Sequence, residues 1–159
     1  MFRGRFKHNI DEKGRISLPS KFREILRGKY GSENLIITNY IDCLVAYPLE
    51  EWKKIEEKLI KLPWDNPKVR KYLRFFLGSA EECHPDKQGR LLLPQTLRQE
   101  FNLEKEVILL GMLTHFEIWN PKHFEKDYQE IKAEFDSILQ VVNSYLNEER
   151  GSLSQAGFS

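Results

Sequence analysis

Asp11, Gly14 and Arg15 return as Asp86, Gly89 and Arg90, and a carboxylate four residues before a guanidinium is a means of aiming a cation. If the residues between them close a turn, Asp11 can reach the Arg15 side chain and restrict its rotamers. That lowers the entropy lost when the planar fork meets a phosphate or a guanine edge. Gly14 and Gly89 let the backbone pass close without a Cβ, and Asp11 and Asp86 suit the opening position of the turn. The same Asp–Arg pair could serve only to fix the turn. The residues alone leave both roles open, and the two are compatible.

These residues belong to a longer duplication. Asp-Glu-Lys-Gly-Arg-Ile-Ser-Leu-Pro-Ser-Lys-Phe-Arg, from Asp11 to Arg23, recurs 75 positions later from Asp86 to Arg98 with six of thirteen positions identical. A duplication must be read before any other feature, because it decides the fold. Arg3, Arg5, Lys7 and Lys13 are the expected phosphate partners near Arg15, and Lys87 is the matching one beside Arg90. Lys21, Arg23 and Arg27 read as ordinary surface charge on a helix. Residues 1–30 hold nine bases against three acids, +6, in a chain whose net charge is only +1, while residues 117–150 hold eight acids against four bases, −4. One cationic face for a polyanion fits that asymmetry.

The elements that must carry the loops follow the same programme twice. Residues 5–10 alternate polar and apolar as a half-buried strand, 15–18 form a second, and Pro19 opens a helix that stops near Gly28. Leu35–Thr38 and Cys43–Tyr47 read as a hairpin, followed by helices over 50–62 and 69–77. In the second copy 85–89 is the turn, 90–93 the strand, 94–101 the helix and 107–110 with 116–119 the hairpin, and a closing helix runs to about Leu146. A unit of roughly 45 residues is too small to bury a stable core alone. The two copies are therefore expected to interleave their strands into one closed barrel, which removes exposed edges.

At 159 residues with 40% hydrophobic and 31% charged content, the chain reads as a soluble globular protein. No apolar run approaches a membrane span. The charged start argues against a signal peptide, and two cysteines suit a reducing cytoplasm. His8, His84, His115 and His123 show no metal spacing, and no phosphate loop or nucleophile elbow is present. No cofactor, metal or catalytic residue is expected, and the chain does not read as an enzyme.

Met1-Phe2-Arg3-Gly4, both Asp-x-x-Gly-Arg turns, Leu18-Pro19 and Tyr47-Pro48-Leu49-x-x-Trp52 together resemble the MraZ family, as do Gly78-Ser79-Ala80-x-x-Cys83 and Phe116-Glu117-Ile118-Trp119. The resemblance runs from Met1 to about residue 145. It implies an α+β fold with a mainly β core, a pseudo-twofold swapped-hairpin barrel of the AbrB/SpoVT type built from two β-α-β-β repeats. The expected divisions are a first repeat over 5–54, linking helices over 55–80, a second repeat over 81–126, a C-terminal helix over 127–148 and a disordered tail over 149–159. It also implies a sequence-specific DNA-binding regulator, chiefly a repressor, of its own division and cell-wall operon. The implied partners are promoter direct repeats in double-stranded DNA and further copies of the chain in a ring, with the protein in the cytoplasm, associated with the nucleoid. By that resemblance Arg15 and Arg90 carry over as DNA-reading residues. A protein-interaction barrel of the antitoxin type is the competing reading. The second helix start, Pro94-Gln95-Thr96-Leu97, is less basic than Pro19-Ser20-Lys21-Phe22, and the first loop is expected to make the stronger contact.

Overall fold

Short alternating segments become strands here, and their pairing joins the two repeats. The computed structural model describes residues 1–155, with side chains to residue 148. The chain forms two units, Met1–Pro121 and Lys122–Ser159. In the first, repeat one supplies β1 (Arg5–Asn9), β2 (Arg15–Ser17), α1 (Ser20–Ile25), β3 (Leu35–Asn39) and β4 (Leu44–Pro48). Then come α2 (Leu49–Leu59) and α3 (Pro67–Phe76), and repeat two supplies β5 (Glu81–Cys83), β6 (Arg90–Leu92), α4 (Gln95–Glu100), β7 (Glu106–Gly111) and β8 (Phe116–Trp119). The second unit holds α5 (Pro121–Ala133) from its second residue onward and α6 (Phe135–Gln155).

Six strands form one antiparallel sheet in the order β1-β7-β8-β4-β3-β5, and β2 and β6 form a separate ribbon. Strand β1 of the first repeat lies on β7 of the second, with Lys7 opposite Ile108. Reciprocally, β5 of the second repeat lies on β3 of the first, with Ile36 opposite Glu82. The hairpins β3–β4 and β7–β8 meet through β4 and β8. The repeats thus exchange their first strands, as their small size demands.

The expected closed barrel is not completed by this ladder. The sheet is open, with β1 and β5 at its two edges, and the ribbon joins its ladder through the isolated bridge Ile10–Ile16. Charge protects both edges: β1 exposes Arg5 and Lys7, and β5 exposes Glu81 and Glu82. Strand β5 has no counterpart in the sequence reading, because Glu-Glu-Cys shows no alternation. Its place is dictated by symmetry with β1.

Other differences are local. Pro19 and Pro94 stand just before their helices, with φ of −53° and −54° and extended ψ, rather than inside them. After α1 the chain continues as a wider π-helical turn over Leu26–Tyr30 and ends at Gly31, whose φ is +65°. Helix α6 reaches Gln155, past residue 148 where the C-terminal helix was expected to end and the disordered tail to begin, and residues 156–159 lie outside the described residues.

The core centres on three fully buried rings. Phe22 of α1 lies 5.2 Å from Phe2 and 5.0 Å from Phe116 between ring centroids. Phe2 is held there by paired backbone bonds with Leu113, at 2.9 and 2.8 Å. Ile16, Leu18, Leu91 and Leu93 turn inward from the ribbon and the segments after it, so the ribbon's other face is left outward. Large aromatic burial of this kind dominates core energetics.

Candidate functional site

Both loops close with the same bonds. The Asp11 carbonyl accepts from Gly14 N–H at 3.0 Å, and Asp11 N–H donates to the Arg15 carbonyl at 2.9 Å. Its carboxylate Oδ1 accepts from Lys13 N–H at 3.0 Å and Arg15 N–H at 2.9 Å, while Oδ2 accepts from Arg15 Nε at 2.7 Å. In the second loop Asp86 takes Gln88 N–H and Arg90 N–H on Oδ1, each at 2.9 Å, and Arg90 Nε on Oδ2 at 2.8 Å. Gly14 and Gly89 have φ of +85° and +76°, a region open to glycine at little cost. One aspartate therefore builds the turn and pairs with the arginine side chain at once.

The brace engages only Nε. The two-pronged Nη end of each guanidinium, the end that matches a phosphate or the O6/N7 edge of guanine, is not consumed by it. Backbone bonds from Arg15 and Arg90 hold both carboxyls below the usual carboxylate range against a smaller opposing effect of burial, helped by the arginine side chains. Both carboxyls are therefore ionised at neutral pH.

The ribbon brings the arginines together. Arg15 stands opposite Leu92, and Ser17 stands opposite Arg90. Since Ile16 and Leu91 point inward, these four side chains share the outward face, and Arg15 and Arg90 are diagonal neighbours. Such neighbours lie about 7–8 Å apart. The face is not symmetric, for Leu92 is 54% exposed where the equivalent position in the first repeat is Ser17.

The other sequence-nominated cations are placed differently. Lys13 and Lys87 are exposed near the loop tips, which carry Glu12-Lys13 and Lys87-Gln88. Arg3 and Arg5 are exposed near the N-terminus. Lys7 pairs with Glu106 across the β1–β7 ladder at 3.4 Å. His8, whose Nδ1–H donates to the Ser17 carbonyl, faces the ribbon from β1. Neighbouring strand residues point to opposite faces, so Lys7 turns away from the face that His8 uses, and Arg5 goes with it.

Arg23 corrects the reading of a plain surface cation. It is buried to 21% exposure, its Nε donates to Glu33 Oε1 at 2.9 Å, and its guanidinium covers Gly89 of the opposite loop. Arg98 does the same over Gly14. The available signal was the identity of this arginine in both repeats; what hid its role was that its partner lies in the other repeat. Burial pushes the Glu33 carboxyl up, but the bonds and charges of Arg23 and Arg27 outweigh it and leave it below the usual range.

Among the described residues no group of three or more His, Cys, Asp or Glu is placed to hold a metal, and no helix is long and apolar enough to cross a membrane. Fold and site together define a duplicated protein of β-β-α-β-β repeats, one strand more than the expected β-α-β-β, which exchange their first strands and present twin aspartate-braced arginines on one ribbon. A family model described as MraZ protein, antitoxin-like, matches residues 1–75 and again 76–141. The chain belongs to the MraZ family. It is 45% identical over 141 residues to a transcriptional regulator MraZ of Syntrophobacter fumaroxidans, covering 89% of this chain and 93% of that protein. Over 143 residues it is 45% identical to the transcriptional regulator MraZ of Caldicellulosiruptor saccharolyticus, covering 89% and 96%. With the protein of the same name from Desulfosudis oleivorans it shares 48% identity over 126 residues, 79% of this chain and 84% of that one.

Proposed function

We propose that the chain is a sequence-specific DNA-binding transcriptional regulator, and that the outward face of the β2–β6 ribbon is its reading surface. The observation that carries this is the pairing of Arg15 and Arg90 on one face, each braced through Nε by a bond that does not engage its Nη fork. A two-stranded ribbon fits the major groove, and a diagonal spacing of about 7 Å corresponds to about two base-pair steps. Lys13 and Lys87 at the loop tips and Arg3 near the N-terminus are the phosphate partners in this reading, while Arg5 and Lys7, nominated with them by the sequence, lie on the face of β1 turned from the ribbon. The relatives' shared description as transcriptional regulators supports it.

The finer parts of the reading come from the family resemblance. The target is the chain's own division and cell-wall operon, which it represses by binding tandem direct repeats upstream, in the cytoplasm and on the nucleoid. Contacts over two or three base pairs are weak singly. A ring of identical chains multiplies them through effective concentration when ring and repeat spacing agree. The reciprocal exchange of β1 and β5 supports the swapped-hairpin part of the AbrB/SpoVT barrel, and the Ile10–Ile16 bridge supports the ribbon as the piece that completes it.

A duplex carrying the chain's own upstream region, titrated at several salt concentrations, tests the proposal. Wild type is expected to bind with log affinity falling steeply against log salt, and Arg15→Ala and Arg90→Ala each to lose about tenfold or more. The antitoxin-type interaction module, favoured only by the family's description, predicts a flat salt plot and no effect of either substitution. If both variants fold and bind as tightly as wild type, the ribbon is not the reading surface.

A further inference from the structure

The arginine that closes each thirteen-residue repeat reaches the loop of the other repeat. A Cβ built on Gly14 would stand 2.7 Å from both Nε and Nη1 of Arg98, with Cζ nearer still. A point that close to the carbon and two nitrogens at once lies over the flat face of the guanidinium, not at its edge. Arg23 covers Gly89 likewise, with Cζ at 2.6 Å and Nε at 2.7 Å from the same constructed position. A backbone bond accompanies each contact: Leu18 N–H donates to the Gly89 carbonyl at 3.0 Å, and Leu93 N–H to the Gly14 carbonyl at 3.1 Å. The Leu-Pro-x-x-x-Arg end of one repeat therefore grips the other repeat's glycine at two points. The residue after that glycine is the loop arginine itself.

We infer that Arg98 is the positioning residue for Arg15 and Arg23 the positioning residue for Arg90, each acting across the repeat boundary; this rests on the DNA-binding reading above. A glycine in the left-handed region is the most pliable point of its turn. The covering guanidinium and the carbonyl bond remove that freedom before DNA arrives, so less ordering is left to pay on binding. The two latches are unequal. Arg23 is clamped by Glu33, whose second oxygen lies 3.4 Å from Arg27. Arg98 gives Nε to the Leu93 carbonyl at 3.1 Å and, among the described residues, has no ion pair. It borders a cleft of about 470 Å³ lined also by Asp11, Glu12 and Glu104. The second loop is thus the more firmly set, and the first the more adjustable.

The test is a set of double-mutant cycles on the full chain, read as affinity for the upstream duplex. Arg98→Ala is expected to lose about tenfold alone, to add little on top of Arg15→Ala, and to keep its full factor on top of Arg90→Ala. Arg23→Ala should show the mirror pattern, coupled to Arg90 and independent of Arg15. Amide hydrogen exchange without DNA supplies the second readout. Arg98→Ala and Arg98→Lys, the latter keeping the charge but not the planar face, should speed exchange at Gly14 and Arg15 and leave Gly89 and Arg90 unchanged. General destabilisation would loosen both loops alike. Equal effects on the two loops, or coupling of Arg98 with Arg90 inside its own repeat, overturn the assignment. If wild type binds no duplex, the DNA-binding reading fails instead, and the exchange pattern alone decides the latch.

Discussion

A single methyl group at Gly89 would meet two obstacles. The backbone there has φ +76°, which an L side chain adopts at a cost of about 1–2 kcal/mol, and the space is filled by the Arg23 guanidinium. Moving Arg23 aside would strain its bond to Glu33, a pair about three-quarters buried, so the second obstacle adds to the first. Gly31 provides the control: its φ is +65°, but nothing lies within 4 Å of the added Cβ. Gly31→Ala should therefore lose only the backbone term, about 1–2 kcal/mol, and Gly89→Ala about 1–3 kcal/mol more. Urea denaturation of the two variants measures the difference. Equal losses would mean that Arg23 yields freely and that the cross-repeat contact is slack. The sequence made this glycine legible as a turn residue, since Asp-x-x-Gly is local chemistry. It did not reveal the arginine over it, because nothing near Arg23 in the chain points to residue 89.

At the scale of elements, the loops are small electrostatic assemblies with a defined pH dependence. Asp11 and Asp86 have carboxyls below their ordinary value of 3.8, and Glu33, between α1 and β3, lies below its ordinary 4.5. A carboxyl depressed in the folded state stabilises it fully above the ordinary value, and that contribution fades as pH falls through the depressed one. Thermal unfolding should thus be insensitive to these three groups above about pH 6 and fall progressively below about pH 4.5. Asp11→Asn with Asp86→Asn should flatten the part of the fall below 3.8, and Glu33→Gln the part that begins near 4.5. A melting temperature that rises on acidification would contradict the sign. Element legibility tracks the same division between local and distant causes. Helices with apolar stripes and the two hairpins were readable from period alone, as in Trp52 and Leu59 of α2, which are buried as their spacing requires. Strand β5 was not, since Glu81 and Glu82 are exposed and its bonds are all to β3, more than forty residues away. The mixture of short strands and helices followed from pattern, whereas the openness of the sheet depends on where β1 and β5 end, which no local pattern encodes.

For the molecule as a whole, the exchange of first strands means that neither repeat owns a complete sheet. Repeat one keeps the β3–β4 hairpin but gives β1 to β7 and takes β5 onto β3. Its ribbon strand β2 has its ladder with β6, and its Phe22 packs on Phe116 of the second repeat. Residues 1–75, the span of the first family match, would leave unpaired both the strand that leaves and the edge that awaits one. An open edge of that kind recruits another chain. The duplication supplies the obvious recruit: a second copy of 1–75 could place its β1 on the first copy's β3, where β5 lies in the full chain. The fragment is therefore expected to be unfolded when dilute and to gain β structure only as it dimerises. Circular dichroism followed over a concentration series, with sedimentation on the same samples, reads both properties together. The full chain should show no such coupling between sheet content and concentration, because its second repeat is the built-in partner. A monomeric 1–75 that unfolds cooperatively at every concentration would show that the repeats are separable domains, and would remove the physical basis for coupling one loop through the other repeat's arginine.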